Sequence, residues 1–180
     1  MTELIQTLNS IADKYRGAQG PWLEAETPLE QDSIRRFTQA IMDRDPSYFD
    51  AEYANRSKFG TVVAPTLFPV HAFRPRTTQD DPLAVLQTEP NADGSSGNDG
   101  VFFGLSPLQS PLKRLLNGGN EIEFYRNLAI GDRCRARARY ADIQVKQGNA
   151  GPMLVVCIET VFENQREQLL LINRQTLIWR

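Results

Sequence analysis

The stretch DRDPSYFDAEYANRSKFGTVVAPTLFP, Asp43 to Pro69, gathers carboxylates, phenols and small apolar residues as an acid–base site would, and the chain's single histidine, His71, follows it. Such chemistry needs a group that gains and loses a proton near neutral pH. By type, His71 meets that need, with an ordinary pKa of about 6.5, whereas Tyr48, with an ordinary pKa of about 10, is a poor proton shuttle. The plainer reading of His71 is a helix-end side chain bonded to a carbonyl or exposed beside Arg74. Asp43 is either a reacting carboxylate or a brace for the Asp45-Pro46 turn. Further on, Gly118-Gly119 offers a place where backbone can approach a ligand closely, with Asn120 and Glu121 projecting beyond it. Its plainer reading is a turn before a strand. Arg133, Arg135, Arg137 and Arg139 alternate, so in a strand they share one face.

Several other chemistries find no support. Cys134 and Cys157 have no C-x-x-C spacing, so neither a zinc site nor a disulfide scaffold is implied. The glycine pairs lack the strand-to-helix context of a nucleotide phosphate loop. A net charge of −2 gives no overall field for nucleic acid, despite the arginine run beside Tyr140. At 180 residues the chain is expected to form one domain. No apolar run approaches the roughly 20 residues of a membrane span, and the mixed charges of MTELIQTLNSIADKYRG do not resemble a secretory leader. A cytoplasmic protein is expected.

These residues need elements to position them. Leu4, Ile5, Leu8, Ile11 and Ala12 form a stripe that predicts a leading helix over 3–15 docked on something else. Leu29, Ile34, Phe37, Ile41 and Met42 predict a second helix over 28–43, and YFDAEYANRS a short third one near Asp50. Pro65 to Ala72 reads as a helix apolar on most sides, hence buried. From Arg74 to Asn117 no period is sustained, and a long surface loop is expected. NEIEFYRNL, DRCRARARYADIQVKQ, GPMLVVCIETVFENQ and EQLLLINRQTLIWR then read as four long antiparallel strands. Helices followed by a meander define an α+β fold.

Two segments carry a family resemblance. DRDPSYFDAEYANRSKFGTVVAPTL resembles the segment of MaoC-like (R)-specific enoyl-CoA hydratases that reads D-x-N-P-x-H-x-D-x-x-Y-A and is followed by H-G-M-L. LNGGNEIEFYRNLAIGDRCRARARYADI with GPMLVVCIETVFENQREQLLLINRQTLI is similar to the FAS1-like, or N-terminal MaoC, dehydratase branch, over about residues 25 to 180. The resemblance implies a hot-dog fold, a long antiparallel sheet wrapped around the 65–72 helix. It makes the 75–110 loop an overhang, and it leaves the leading helix in an extension over 1–24 outside the similar region.

In the catalytic branch, an Asp and a His hold the water added to a trans-2-enoyl thioester, and backbone N–H groups at the central helix stabilise the enolate oxygen. Residue by residue, the Asp falls on Asp43 and is kept, the His falls on Tyr48, and the H-G pair falls on Ala64-Pro65. Proline has no N–H to donate. The resemblance therefore implies a chain that shapes an acyl-thioester pocket with Ala64, Pro65 and Thr66, while a MaoC-type hot-dog partner supplies Asp and His. Gly118, Gly119 and Asn120 would border the thioester, and Arg126 and Arg174 would meet phosphates of CoA or an acyl carrier. No cofactor or metal is implied. Two alternatives remain, a homodimeric hydratase using Asp43 with His71 or Tyr48, and a non-enzymatic acyl-CoA-binding protein.

Overall fold

A computed structural model describes residues 2–73, 88 and 103–180. Helix α1, Thr2–Tyr15, carries Glu3 in its first turn and Lys14 in its last, each favourable to the helix dipole. Strand β1 is Leu23–Glu24, α2 Gln31–Ile41, α3 Ala51–Arg56 and α4 Phe68–Ala72, with a 3-10 turn at Pro46–Tyr48. The long strands follow as β2 Leu115–Phe124, β3 Cys134–Gly148, β4 Gly151–Asn164 and β5 Leu169–Trp179. They form one antiparallel sheet of order β1-β3-β4-β5-β2, the hot-dog arrangement.

Alternation along β4 sorts the sheet into two faces. Leu154, Val156, Ile158, Thr160, Phe162 and Asn164 are buried on the inner face, while the residues between them are only half-buried. Two groups of side chains cover that inner face. At one end α1 packs on β3 and β4 through Leu8, Ala12 and Tyr15, whose ring meets Tyr140 edge-on at 5.8 Å. At the other end Phe73 and Phe103 close on Phe162 at 6.1 and 5.3 Å. The leading helix thus docks on the chain's own sheet, as its apolar stripe requires.

The outer face is held by charge. Glu159 on β4 accepts hydrogen bonds from Arg139 on β3 and Arg174 on β5, both at 2.8 Å, and Arg174 also reaches Glu123 on β2. Arg135 binds Glu163 at 2.6 Å and lies over the Trp22 ring at 4.5 Å, with Arg137 at 5.8 Å from the same ring. Arg133 departs from the expected four-arginine face. It precedes β3 and donates to the carbonyls of Ala25 and Glu26 at 2.9 and 2.7 Å.

Three boundaries differ from expectation. The 28–43 helix begins at Gln31 and ends where Met42 turns left-handed, φ 56°, its N–H returning to Gln39 and Thr38. The 65–72 helix begins only at Phe68, because Pro65 and Thr66 form the turn before it. The strand expected at 120–128 starts at Leu115, so Gly118-Gly119 lies inside it as a bulge rather than before it as a turn. A Cβ on Gly118 would stand 2.9 Å from Thr176 Cγ2, and Gly119 has φ +118°, so both positions require glycine. Of the overhang expected over 75–110, only 88 and 103–110 fall among the described residues. Phe103 and Leu105 there belong to the core.

Candidate functional site

Local hydrogen bonding sets the place of Asp43. Its backbone N–H donates to Thr38 at the end of α2, and its Oδ1 accepts the Asp45 N–H at 3.1 Å. The next carboxylate, Asp45, caps the 3-10 turn by accepting from Ser47 N at 2.9 Å, and Asp50 caps α3 from Tyr53 N at 3.0 Å. Asp43 is exposed and lines an open cleft of about 370 Å³ with Arg35, Arg44 and Phe49. One turn on, Tyr48 is half-buried. Burial first, then the charges of Asp43 and Asp45, push its phenol above the ordinary value. A phenol raised further stays protonated at neutral pH and cannot serve as a base there.

The buried Ser47 carbonyl accepts the Val63 N–H at 3.3 Å, which ties the Asp43–Tyr48 turn to the Ala64-Pro65 strip. That strip is itself fully engaged. Ala64 donates its N–H to the Leu128 carbonyl at 2.9 Å and accepts from Asn127 Nδ2 at 2.9 Å. Val62 accepts from Ile130, completing a short antiparallel contact between 62–64 and 128–130. Position 64 therefore has no free N–H, and Pro65 has none at all. Thr66 is half-buried beside them.

Other candidates stand apart. His71 is exposed on α4 and stacks on Phe37 with ring centroids 6.3 Å apart. Gly118, Gly119 and Asn120 sit at the β2 bulge, with Asn120 opposite Gln175. Gly119 lies in β2 five residues before its end at Phe124, about 17 Å of extended chain, and Asn127 follows three residues beyond that end. The Arg174 guanidinium is occupied by Glu123 and Glu159, with Glu121 at 4.0 Å. Arg126 is exposed and lines a different cleft, of about 520 Å³, with Lys58, Asp132 and Arg166. Sequence reasoning missed these last three because they lie in three separate segments, and nothing local in SKFG, GDR or NQREQ marks them as neighbours. Of the two thiols, Cys134 is pushed up to about 12 by burial, which makes it inert, and burial and then Glu159 raise Cys157.

A pocket of about 150 Å³ lies beside α4, lined by the apolar Leu29, Phe68, Phe73 and Leu128 and also by Glu26, Thr27 and Ser33. It falls short of the roughly 300–1,000 Å³ of a complete small-molecule site.

The sheet order and the covered inner face define a hot-dog fold. The chain belongs to the family described as FAS1-like, dehydratase domain region, whose model matches residues 20–172. A UPF0336 protein of Saccharopolyspora erythraea is 27% identical over 119 residues, 66% of this chain and 62% of that protein, so the match spans less than two thirds of that relative. Among solved structures, the ChsH1-ChsH2 complex of Mycobacterium tuberculosis is similar with TM-score 0.65 and 17% identity, over 99% of this chain and 91% of that one. R-hydratase PhaJ1 of Pseudomonas aeruginosa is similar with TM-score 0.55 and 16% identity, over 93% and 83%. Both likenesses are of fold. No helix among the described residues is long and apolar enough to cross a membrane.

Proposed function

We propose that this chain is the non-catalytic subunit of an enoyl-thioester hydratase, or 3-hydroxyacyl-thioester dehydratase, whose partner chain supplies the catalytic Asp and His. The observation that carries the reading is the paired loss at the Tyr48–Pro65 region. Tyr48 is a phenol pushed further toward its protonated form, and Ala64-Pro65 offers one engaged N–H and one proline, at the positions that the resemblance aligns with the proton shuttle and the oxyanion donor. Losing either function costs about two to four orders of magnitude in rate, so the chain alone is left without an effective site.

Two features support a composite site. The pocket beside α4 is too small to be complete, and among the described residues β2 is the edge of the sheet, with nearly every residue exposed. On this reading, antiparallel pairing of a second hot dog along β2 brings the partner's strip toward this chain's Gly118–Asn120 bulge. Charge on that edge favours a different chain over a second copy. Glu121 and Glu123 project on the outer face, and a two-fold pairing centred near Ile122 would set each against the other's copy. Like charges directly opposite are destabilising, whereas a partner edge with Lys or Arg gains a cross-strand pair. A MaoC-type chain with an intact N-P-x-H motif is the expected partner, and a neighbour ChsH1-ChsH2 is itself a complex of two chains.

The test is hydration of crotonyl-CoA by the chain alone and mixed with such a partner. Partner-dependent turnover supports the reading; hydration by the chain alone at rates ordinary for such enzymes contradicts it.

A further inference from the structure

We infer that the inner face of the sheet takes an acyl tail bearing a hydroxyl group, which Asn173 and Thr160 recognise at the middle of the concave surface. The inference rests on the thioester reading above and names the class of acyl group that this chain selects.

Strand register places the site. Thr160 on β4 lies opposite both Ala138 on β3 and Asn173 on β5, and Asn173 lies opposite Ile122 on β2, so the four share one row across the inner face. Ala138, Thr160 and Asn173 are all buried. The rows on either side carry Phe162 with Leu171 and Tyr140 with Ile158, also buried and mostly larger. A polar notch of shorter side chains thus interrupts an otherwise apolar surface. Within it Asn173 Oδ1 is buried and accepts no hydrogen bond, the one such side-chain atom among the described residues. An unmet buried acceptor lowers stability, and no contact of the chain returns what it costs.

The chemistry of the missing partner follows from the atom. An amide oxygen only accepts, so a ketone or ester in the tail would leave it unmet, and an ammonium would carry a charge into apolar surroundings. A hydroxyl donates to it and can in turn accept from the Thr160 hydroxyl. An ordered water typically needs about three polar partners, whereas this row offers two polar side chains. A hydroxyl on a carbon chain needs fewer, and its methylenes would lie against Phe162 and Ile158. The row also ends at the surface: Ile122 is half-buried on β2, and Phe124, next on the same face, is exposed at the edge where the partner is expected. Along β5, Asn173 stands three residues, about 10 Å of strand, beyond Leu170, whose carbonyl accepts the Arg126 N–H. The next residue, Asn127, holds Ala64, so a thioester at that strip would bring a tail of medium length level with Asn173.

Isothermal titration of the full chain with ω-hydroxydecanoyl-CoA and with decanoyl-CoA tests this. The parent should bind the hydroxylated tail about tenfold more tightly, Thr160→Val should narrow that preference, and Asn173→Leu should bind the two alike. The preference compares two ligands on one protein, so a general loss of stability does not move it. Because leucine removes an unmet acceptor, the unfolding midpoint of ligand-free Asn173→Leu should equal or exceed the parent's. Equal affinity of the parent for the two tails, a preference that survives Asn173→Leu, or no binding of either probe below its micelle concentration overturns the inference. A lowered midpoint in ligand-free Asn173→Leu means that an ordered water completes Asn173, and overturns it as well. If partner-dependent hydration fails while the tail preference depends on Asn173, the functional reading falls and this one stands. Partner-dependent hydration with equal affinity for the two tails has the opposite meaning.

Discussion

Asn127 donates its Nδ2 to the carbonyl of Ala64 at 2.9 Å, and Ala64 is completely buried. The strip that would face a thioester is thus held from behind by the segment that follows β2. Asn127→Leu should cost about 1–3 kcal/mol in denaturant unfolding, because it strands a buried carbonyl as well as removing a bond. It should also lower partner-dependent turnover.

On the proposed reading, rebuilding the chemistry needs both positions. Tyr48→His returns a titratable group and Pro65→Gly returns a backbone N–H, so each single variant should remain near the parent in crotonyl-CoA hydration. The double variant should exceed either by about tenfold or more. A Tyr48→His single variant as active as the double would mean that the proline is not limiting.

Asp43 can be assigned by one isosteric change. Asn keeps the oxygen that accepts from Asp45 N, so if the residue only braces the turn, Asp43→Asn should leave stability within about 0.5 kcal/mol and leave partner-dependent activity unchanged. Asp43→Ala should cost about 0.5–1 kcal/mol. A loss of two orders of magnitude in rate for Asp43→Asn would make it a proton-transfer group instead.

The outer-face ladder should show in acid. Burial pushes the Glu159 carboxyl up, but hydrogen bonds from Arg139 and Arg174 outweigh it and hold it below the ordinary 4.5. The Arg174 hydrogen bond does the same for Glu123. A carboxyl depressed in the folded state stabilises above its unfolded pKa, and that stability is lost as pH falls through the folded value. Unfolding midpoints should therefore drop below about pH 4.5, and in Arg174→Met the drop should be shallower and start from a lower neutral-pH midpoint.

Reversing charge on the β2 edge should change what the chain pairs with. Glu121→Lys/Glu123→Lys should weaken association with the catalytic partner. Mixed with the parent chain, it should form a parent–variant dimer by light scattering that neither forms alone.

The long strands were legible because GPMLVVCIETVFENQ and its neighbours combine β-branched residues with a sustained period of two, and the leading helix because Leu8 and Ala12 repeat at helical spacing. The β2 boundary was not, since Gly118-Gly119 has the composition of a turn and only contact with Thr176 reveals a bulge. At the candidate site, the departure of Tyr48 and Pro65 from the hydratase motif could be read through the resemblance. The hydrogen bonds that occupy Ala64 could not, because Leu128 and Asn127 are more than sixty residues away. Arg126 could be named from its type, but the cleft it lines with Lys58 and Arg166 could not, because the three come from separate segments of the chain.

The most direct measurement of the division of labour is the initial rate of crotonyl-CoA hydration by this chain alone, by an N-P-x-H partner alone, and by the two at equal concentration. The expected result is a mixture at least about a hundredfold faster than this chain by itself, with the activity abolished when the partner's His is replaced. Full activity from this chain alone, unchanged on adding the partner, would contradict it.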